Sequence, residues 1–153
     1  MLHISNHPLV RREVTALRDR EASSEAFRAA LRRVSQLLAY EASGDLLTKE
    51  CEVRTPLETA HGSVLGKAVI LVPVLRAGLG MVDAFLDILP DARVGHVGLY
   101  RNEDTLEPVE YYEKYPASLG AASVFLLDPM LATGVSAVAA LQLLRARGAE
   151  DIR

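Results

Sequence analysis

The chain has 153 residues, half of them hydrophobic and 5% aromatic, with 17 Lys and Arg against 20 Asp and Glu for a formal net charge of -3. That is enough for one aliphatic-cored domain burying roughly two thirds of its extended-chain surface, and the balance of charge argues against a nucleic-acid or membrane surface. A single cysteine, Cys51, excludes an internal disulfide and suits a reducing compartment; the most apolar run stops at Arg76, far short of the roughly 20 residues of a membrane span. With no basic, apolar and small-residue leader at the start, a soluble cytoplasmic protein is expected.

Residues 1–8 read as an extended lead-in, with His3 and His7 at the surface or in packing rather than as ligands. Apolar spacing then turns helical at Val10, Val14 and Leu17, and again at Phe27, Leu31, Val34, Leu37 and Leu38, the second helix capped by Ser24 and ending before Gly44. Arginines 11, 12, 18, 20, 28, 32 and 33, interleaved with Glu13, Asp19, Glu21 and Glu25, predict a solvated face, with an anion or partner surface as the alternative. Residues 46–66 alternate and contain Pro56 and Gly62, the pattern of a two-stranded hairpin. A lone hairpin is marginal in water and must pack on something.

Residues 67–75 read as a continuous buried strand of a parallel sheet, finishing near Pro73. Arg76, Gly78 and Gly80 form a turn into a helix with Leu79, Val82, Phe85, Leu86 and Leu89, closed by Pro90. A strand is predicted over 93–100. Residues 100–116 are acidic and read as either a mobile flap or a solvated protrusion with Tyr111, Tyr112 and Tyr115 packed beneath it. Ser123 to Leu127 is a short apolar strand ending on Asp128, followed by a turn with Pro129 and Gly134 and a helix with Val135, Val138, Ala139, Leu141 and Leu144 on its apolar side. After Gly148 the next strand should begin, yet only five residues remain, so the sheet is expected to lack a member.

The strand ends near Leu75, Tyr100 and Leu127 would converge on one crevice, because open parallel sheets bind ligands beyond their carboxyl edge. They deliver Arg76, Arg101 and Asp128 there, with Thr133, Gly134 and Ser136 at a helix start whose unpaired amides favour an anion. Rival motifs fail: after Gly78 and Gly80 the third glycine of a dinucleotide fingerprint falls at Asp83, and residues 62–67 are too short for a nucleoside-triphosphate loop, with Ala68 where Ser or Thr should stand. His61 and His96 lack partners at zinc spacing. For Asp128 the plainer reading is an acid capping the adjoining loop.

DPMLATGVSA at 128–137 resembles the phosphoribosyl pyrophosphate loop of the phosphoribosyltransferases, and specifically of the uracil phosphoribosyltransferases, in which proline replaces the usual second acid, here Pro129. VPVLRAGLGM at 72–81, GLYRNEDTLEPVEYYEKYP at 98–116 and LLAYEAS at 37–43 fit the same family in order; Val135 departs from its second glycine, so the loop is expected to sit slightly differently. The resemblance implies an α/β fold, an open mostly parallel sheet with flanking helices, with residues 46–66 as a projecting β-arm that helps make a homodimer and 100–116 as a flap. It also implies transfer of phosphoribosyl from phosphoribosyl pyrophosphate to uracil, with Mg²⁺ held mainly by the substrate. Ala132, Thr133, Gly134, Val135 and Ser136 would hold the 5′-phosphate, Asp128 the ribose hydroxyls, Arg76 and Arg101 the pyrophosphate, with Gly78 of the adjoining turn also among the substrate-binding residues. A non-proline cis peptide is expected at Arg76–Ala77. Family members continue into a base-recognising hood, so the single domain of residues 1–153 is expected to be truncated, partly ordered or a remnant; a sugar-phosphate-binding or structural dimer module is the alternative function.

Overall fold

The computed structural model describes residues 2–101, 108–116 and 118–153, with Arg101 through its backbone alone. Two helices open the chain, α1 (Pro8–Arg18) and α2 (Ser24–Ala42). Pro8 suits the first turn of α1, where its missing N–H costs no bond, and the His7 ring nitrogen Nδ1 accepts from the Leu9 N–H at 3.2 Å. For α2 the cap is Ser23, one residue before the expected Ser24. Ser23 is extended, at φ -64 and ψ 157, and its hydroxyl accepts from the Ala26 N–H, whereas Ser24 is already helical. The arginine-rich face is less plain than a solvated surface. Glu13 on α1 is covered by Arg12 and by Arg33 of α2, which both donate to its carboxylate, and Arg32 pairs with Asp87.

A hairpin of β1 (Thr48–Arg54) and β2 (Thr59–Leu65) forms its own two-stranded antiparallel sheet. The main sheet is built from β3 (Ala68–Leu75), β4 (Arg93–Val94), β5 (His96–Arg101), β6 (Pro108–Lys114), β7 (Ala122–Leu127) and β8 (Asp151–Ile152), in the order β6-β5-β3-β7-β8, with β4 also on β3. All pairings are parallel except β5 with β6. The strand expected over 93–100 is interrupted at Gly95, whose N–H donates to the Leu71 carbonyl, so it meets β3 in two short registers. On the edge, Tyr111 does not pack beneath a protrusion: its ring lies across Gly98 and beside Tyr100, and it stays half exposed.

Period-two alternation sorts the central strands between two layers. Val69, Leu71, Phe125 and Leu127 face α1, α2 and α3 (Leu79–Ile88), while Ile70, Val72, Val74 and Val124 face α4 (Val135–Ala146). Burial on both faces explains why β3 and β7 read as unbroken apolar runs. The expected apolar side of α4 is wrong at its first turns. Val135 and Val138 are exposed, and Ala140 and Leu144 make the packed face.

The missing strand is also corrected. Gly148, at φ 87, turns the chain back after α4, its N–H donating to the Arg145 carbonyl while Ala149 donates to Leu144. Residues 151–152 then pair in parallel with β7, and Arg153 continues the ladder by donating to Val124 and accepting from Leu126.

Candidate active site

β3 and β7 are adjacent and parallel with Pro73 opposite Leu127, so their carboxyl ends open side by side. Each strand runs through a turn into a helix. After β3, the Gly78 N–H donates to the Val74 carbonyl and Leu79 to Arg76, winding the chain at once into α3. After β7, Asp128 Oδ1 accepts from the Met130 N–H at 3.1 Å, which shapes the first bend of the loop. That bond is the one the plainer reading of Asp128 requires. Oδ2 makes no hydrogen bond among the described residues.

Gly134 then takes φ 78, a left-handed conformation that a side chain disfavours, and α4 starts at Val135 with no side chain capping it. The first amides of α4 therefore face outward without a protein acceptor from a cap, where the helix macrodipole adds positive potential.

These pieces line one crevice of about 210 Å³ that brings together Arg76, Asp128 and residues 132–136. Arg76, Thr133 and Ser136 are exposed and Asp128 is half-buried. Gly78 stands behind the wall instead of in it: it is buried, and a Cβ there would overlap the Leu127 carbonyl oxygen. Arg101 ends β5 and its side chain lies outside the described residues, as do 102–107 of the expected flap. The cis peptide is Leu75–Arg76, one bond earlier than expected.

Leu99, Met130 and Leu131 also line it and were not anticipated from the sequence as site residues. Met130 and Leu131 are 72% and 71% exposed. Two large apolar residues between Pro129 and Gly134, in an otherwise polar turn, were the available signal. They give the crevice an apolar lip beside a cationic and amide-rich floor. Such a mixture suits a ligand with a polyanionic end and an apolar or planar end.

Among the described residues no group of three or more His, Cys, Asp or Glu side chains is placed to hold a metal, and no helix is long and apolar enough to cross a membrane.

Residues 4–153 match the family model described as uracil phosphoribosyltransferase. A uracil phosphoribosyltransferase of Dictyoglomus thermophilum is 50% identical over 100% of this chain and 74% of its own length, and one of Natranaerobius thermophilus is 48% identical over 99% and 73%. A solved structure of an Aquifex aeolicus protein superimposes with a TM-score of 0.92 at 37% identity, covering 99% of this chain and 73% of that one. A hypoxanthine phosphoribosyltransferase from Staphylococcus aureus, at 12% identity and a TM-score of 0.57 over 82% of this chain and 60% of its own, shares the fold alone. The chain thus spans about three quarters of the relatives it matches, and it belongs to the uracil phosphoribosyltransferase family.

Proposed function

We propose that the protein transfers the phosphoribosyl group of 5-phosphoribosyl 1-pyrophosphate to uracil, giving UMP and pyrophosphate, in the cytoplasm. The observation that carries this reading is the convergence of Arg76, Asp128 and the uncapped start of α4 in one crevice of a chain of this family. The amides of 132–136, with the Thr133 and Ser136 hydroxyls, are suited to the 5′-phosphate, where converging N–H dipoles replace its water. Asp128, with an oxygen free of the loop, would accept from the ribose hydroxyls.

Arg76, joined by Arg101 from the end of β5, would grip the pyrophosphate with planar forks and stabilise the charge that develops as the anomeric C–O bond breaks. No strong general base is required for a displacement of oxocarbenium character, in which the new C–N bond replaces the anomeric C–O bond and the uracil ring N–H gives its proton to solvent or to the departing pyrophosphate. The donor set would leave a Mg²⁺ to take its oxygens mainly from the substrate, Asp128 being the one acid that lines the crevice among the described residues. Bound there, the ion would neutralise pyrophosphate charge.

The hairpin supports a homodimer. Val64, Cys51 with Gly62 and Val53 with Ala60 share one apolar face, and Leu57 at the tip is 96% exposed. A second copy is the occupant proposed for that face, and a monomeric mass by light scattering at micromolar concentration would count against it.

Calorimetric titration of the 153-residue chain with phosphoribosyl pyrophosphate and Mg²⁺, then uracil, tests the activity. Saturable binding followed by uracil-dependent pyrophosphate release is expected. Binding without release would leave a sugar-phosphate-binding module, and no binding would remove the reading altogether.

A further inference from the structure

We propose a second small-molecule site at the amino-terminal edge of the sheet, which takes a phosphate monoester carrying an apolar body. A crevice of about 380 Å³ lies where the base of the β1–β2 arm, the start of β3 and the end of α3 meet, within the roughly 300–1,000 Å³ of small-molecule sites. Three cations from three separate segments line it: Lys49 in β1, Lys67 in the link to β3, and Arg93 at the start of β4. Asp91 is the one carboxylate in the lining. None of these four side chains makes an ion pair or side-chain hydrogen bond with a described residue, although Lys67 lies close enough to Asp151 to stabilise its charge.

The walls between the cations are apolar. Val69 and Leu89 are buried in the floor, and Leu65 and Ile88 stay 41% and 39% exposed on the sides. Apolar groups left half-open among three positively charged residues favour an amphiphilic anion over either a bare ion or a neutral solute. Charge decides the head group. Three cations against one carboxylate leave a formal +2 in the lining, part of it met by Asp151 beside Lys67, and that excess draws a phosphate monoester of about -1.5 to -2 at pH 7 more strongly than a singly charged carboxylate. Lysine supplies point charge and Arg93 a planar fork for two phosphate oxygens.

This crevice is separate from the candidate active site. Ala68 and Leu75 are the two ends of β3, about 23 Å apart at the rise of an extended strand. Ligands at the two ends would not touch.

The test is an amide-resolved NMR titration of the full chain with phenyl phosphate, with inorganic phosphate as the second probe. Amides of Gly66, Lys67, Ala92 and Arg93 should shift along one isotherm with phenyl phosphate, and at least tenfold more weakly with inorganic phosphate. In the Lys67→Ala, Arg93→Ala double variant that isotherm should weaken at least tenfold, while spectral dispersion and thermal midpoint stay at the parent values. Equal affinity for the two probes would overturn the proposal, since the apolar walls would contribute nothing. Shifts confined to 132–136, shifts unchanged in the double variant, or no shifts because a second copy seals the crevice would each overturn it as well. Failure of uracil transfer would leave this result standing, because none of the reporting amides lines the catalytic crevice.

Discussion

Replacing Gly78 with Ala tests whether bare backbone contact is what holds the Arg76 turn against the end of β7. A Cβ at Gly78 would overlap the Leu127 carbonyl oxygen and stand 2.7 Å from the Val74 nitrogen and 2.8 Å from its oxygen. All three are backbone atoms of the two central strands, so no side chain can swing aside. Ordinary contact begins at 3.4 Å, and relieving even the 2.7 Å approach moves the turn by about 0.7 Å, a change of the overpacking kind that costs roughly 1–3 kcal/mol. Arg76 rides on that turn and Asp128 comes directly after Leu127, so the two charged groups separate by a similar amount. A misplacement of about 1 Å costs on the order of 10²-fold in rate where geometry is preorganised. Gly78→Ala should therefore lose about 2 kcal/mol in urea denaturation and roughly 10- to 100-fold in kcat/KM for pyrophosphate release. Gly80→Ala is the control. Its Cβ meets only the Leu31 Cδ2 methyl, at 2.8 Å, which is the end of a flexible side chain, and alanine gains about 1 kcal/mol of helix propensity inside α3. A Gly78→Ala protein with parental stability and activity within about threefold of the parent would refute the coupling.

Arg76→Ala should mainly lower kcat, and Asp128→Asn should weaken both turnover and sugar-phosphate binding; steady-state constants near those of the parent would remove those roles. Phe125→Ala, in the layer beneath α3 where its ring meets Phe85 edge-on at 6.0 Å, should cost about 3–5 kcal/mol in urea denaturation. Glu13 gives a pH dependence. Hydrogen bonding from Arg33, and then the Arg12 guanidinium, hold its carboxyl below the ordinary 4.5 despite burial. Stability from this group is thus full above the unfolded value and lost as pH falls through the lower folded value. Glu13→Gln should flatten the acid limb of a plot of denaturation midpoint against pH between about 3 and 5; an unchanged slope would show that the charge holds nothing.

The layered fold was legible because β3 and β7 are buried on both faces, and runs such as Val69 to Val72 have no polar phase to confuse with a surface strand. The site was legible where chemistry sits in a contiguous string, as in Asp128 to Ser136. Other features depended on partners distant in sequence. Asp151 and Ile152 look too short to be a strand until Ser123 is seen opposite them, with its hydroxyl donating to the Asp151 carboxylate at 2.6 Å. Val135 and Val138 carry helical spacing, but α4 is set on the sheet by the small Ala140 and by Leu144, which rotates those valines to the outside. Gly78 looked like a ligand-contacting glycine from its place in a turn. Only the neighbouring Leu127 carbonyl reveals that it serves packing.

β7 is the element through which core and site are coupled. Phe125 anchors it in one layer and Val124 in the other, so its carboxyl end has little freedom to shift. That end supplies Asp128, abuts Gly78 of the neighbouring turn, and launches the loop that opens α4. The three groups assigned to one substrate therefore share a single rigid reference, although they come from two different turns. Each turn is itself short and partly exposed, so its precision comes from the strand behind it. Loosening β7 should disturb all three groups together, whereas removing one crevice side chain should disturb its own contact. Core variants such as Phe125→Ala are accordingly expected to lower turnover in the fraction that remains folded, an effect that separates from global unfolding when rates are measured well below the thermal midpoint.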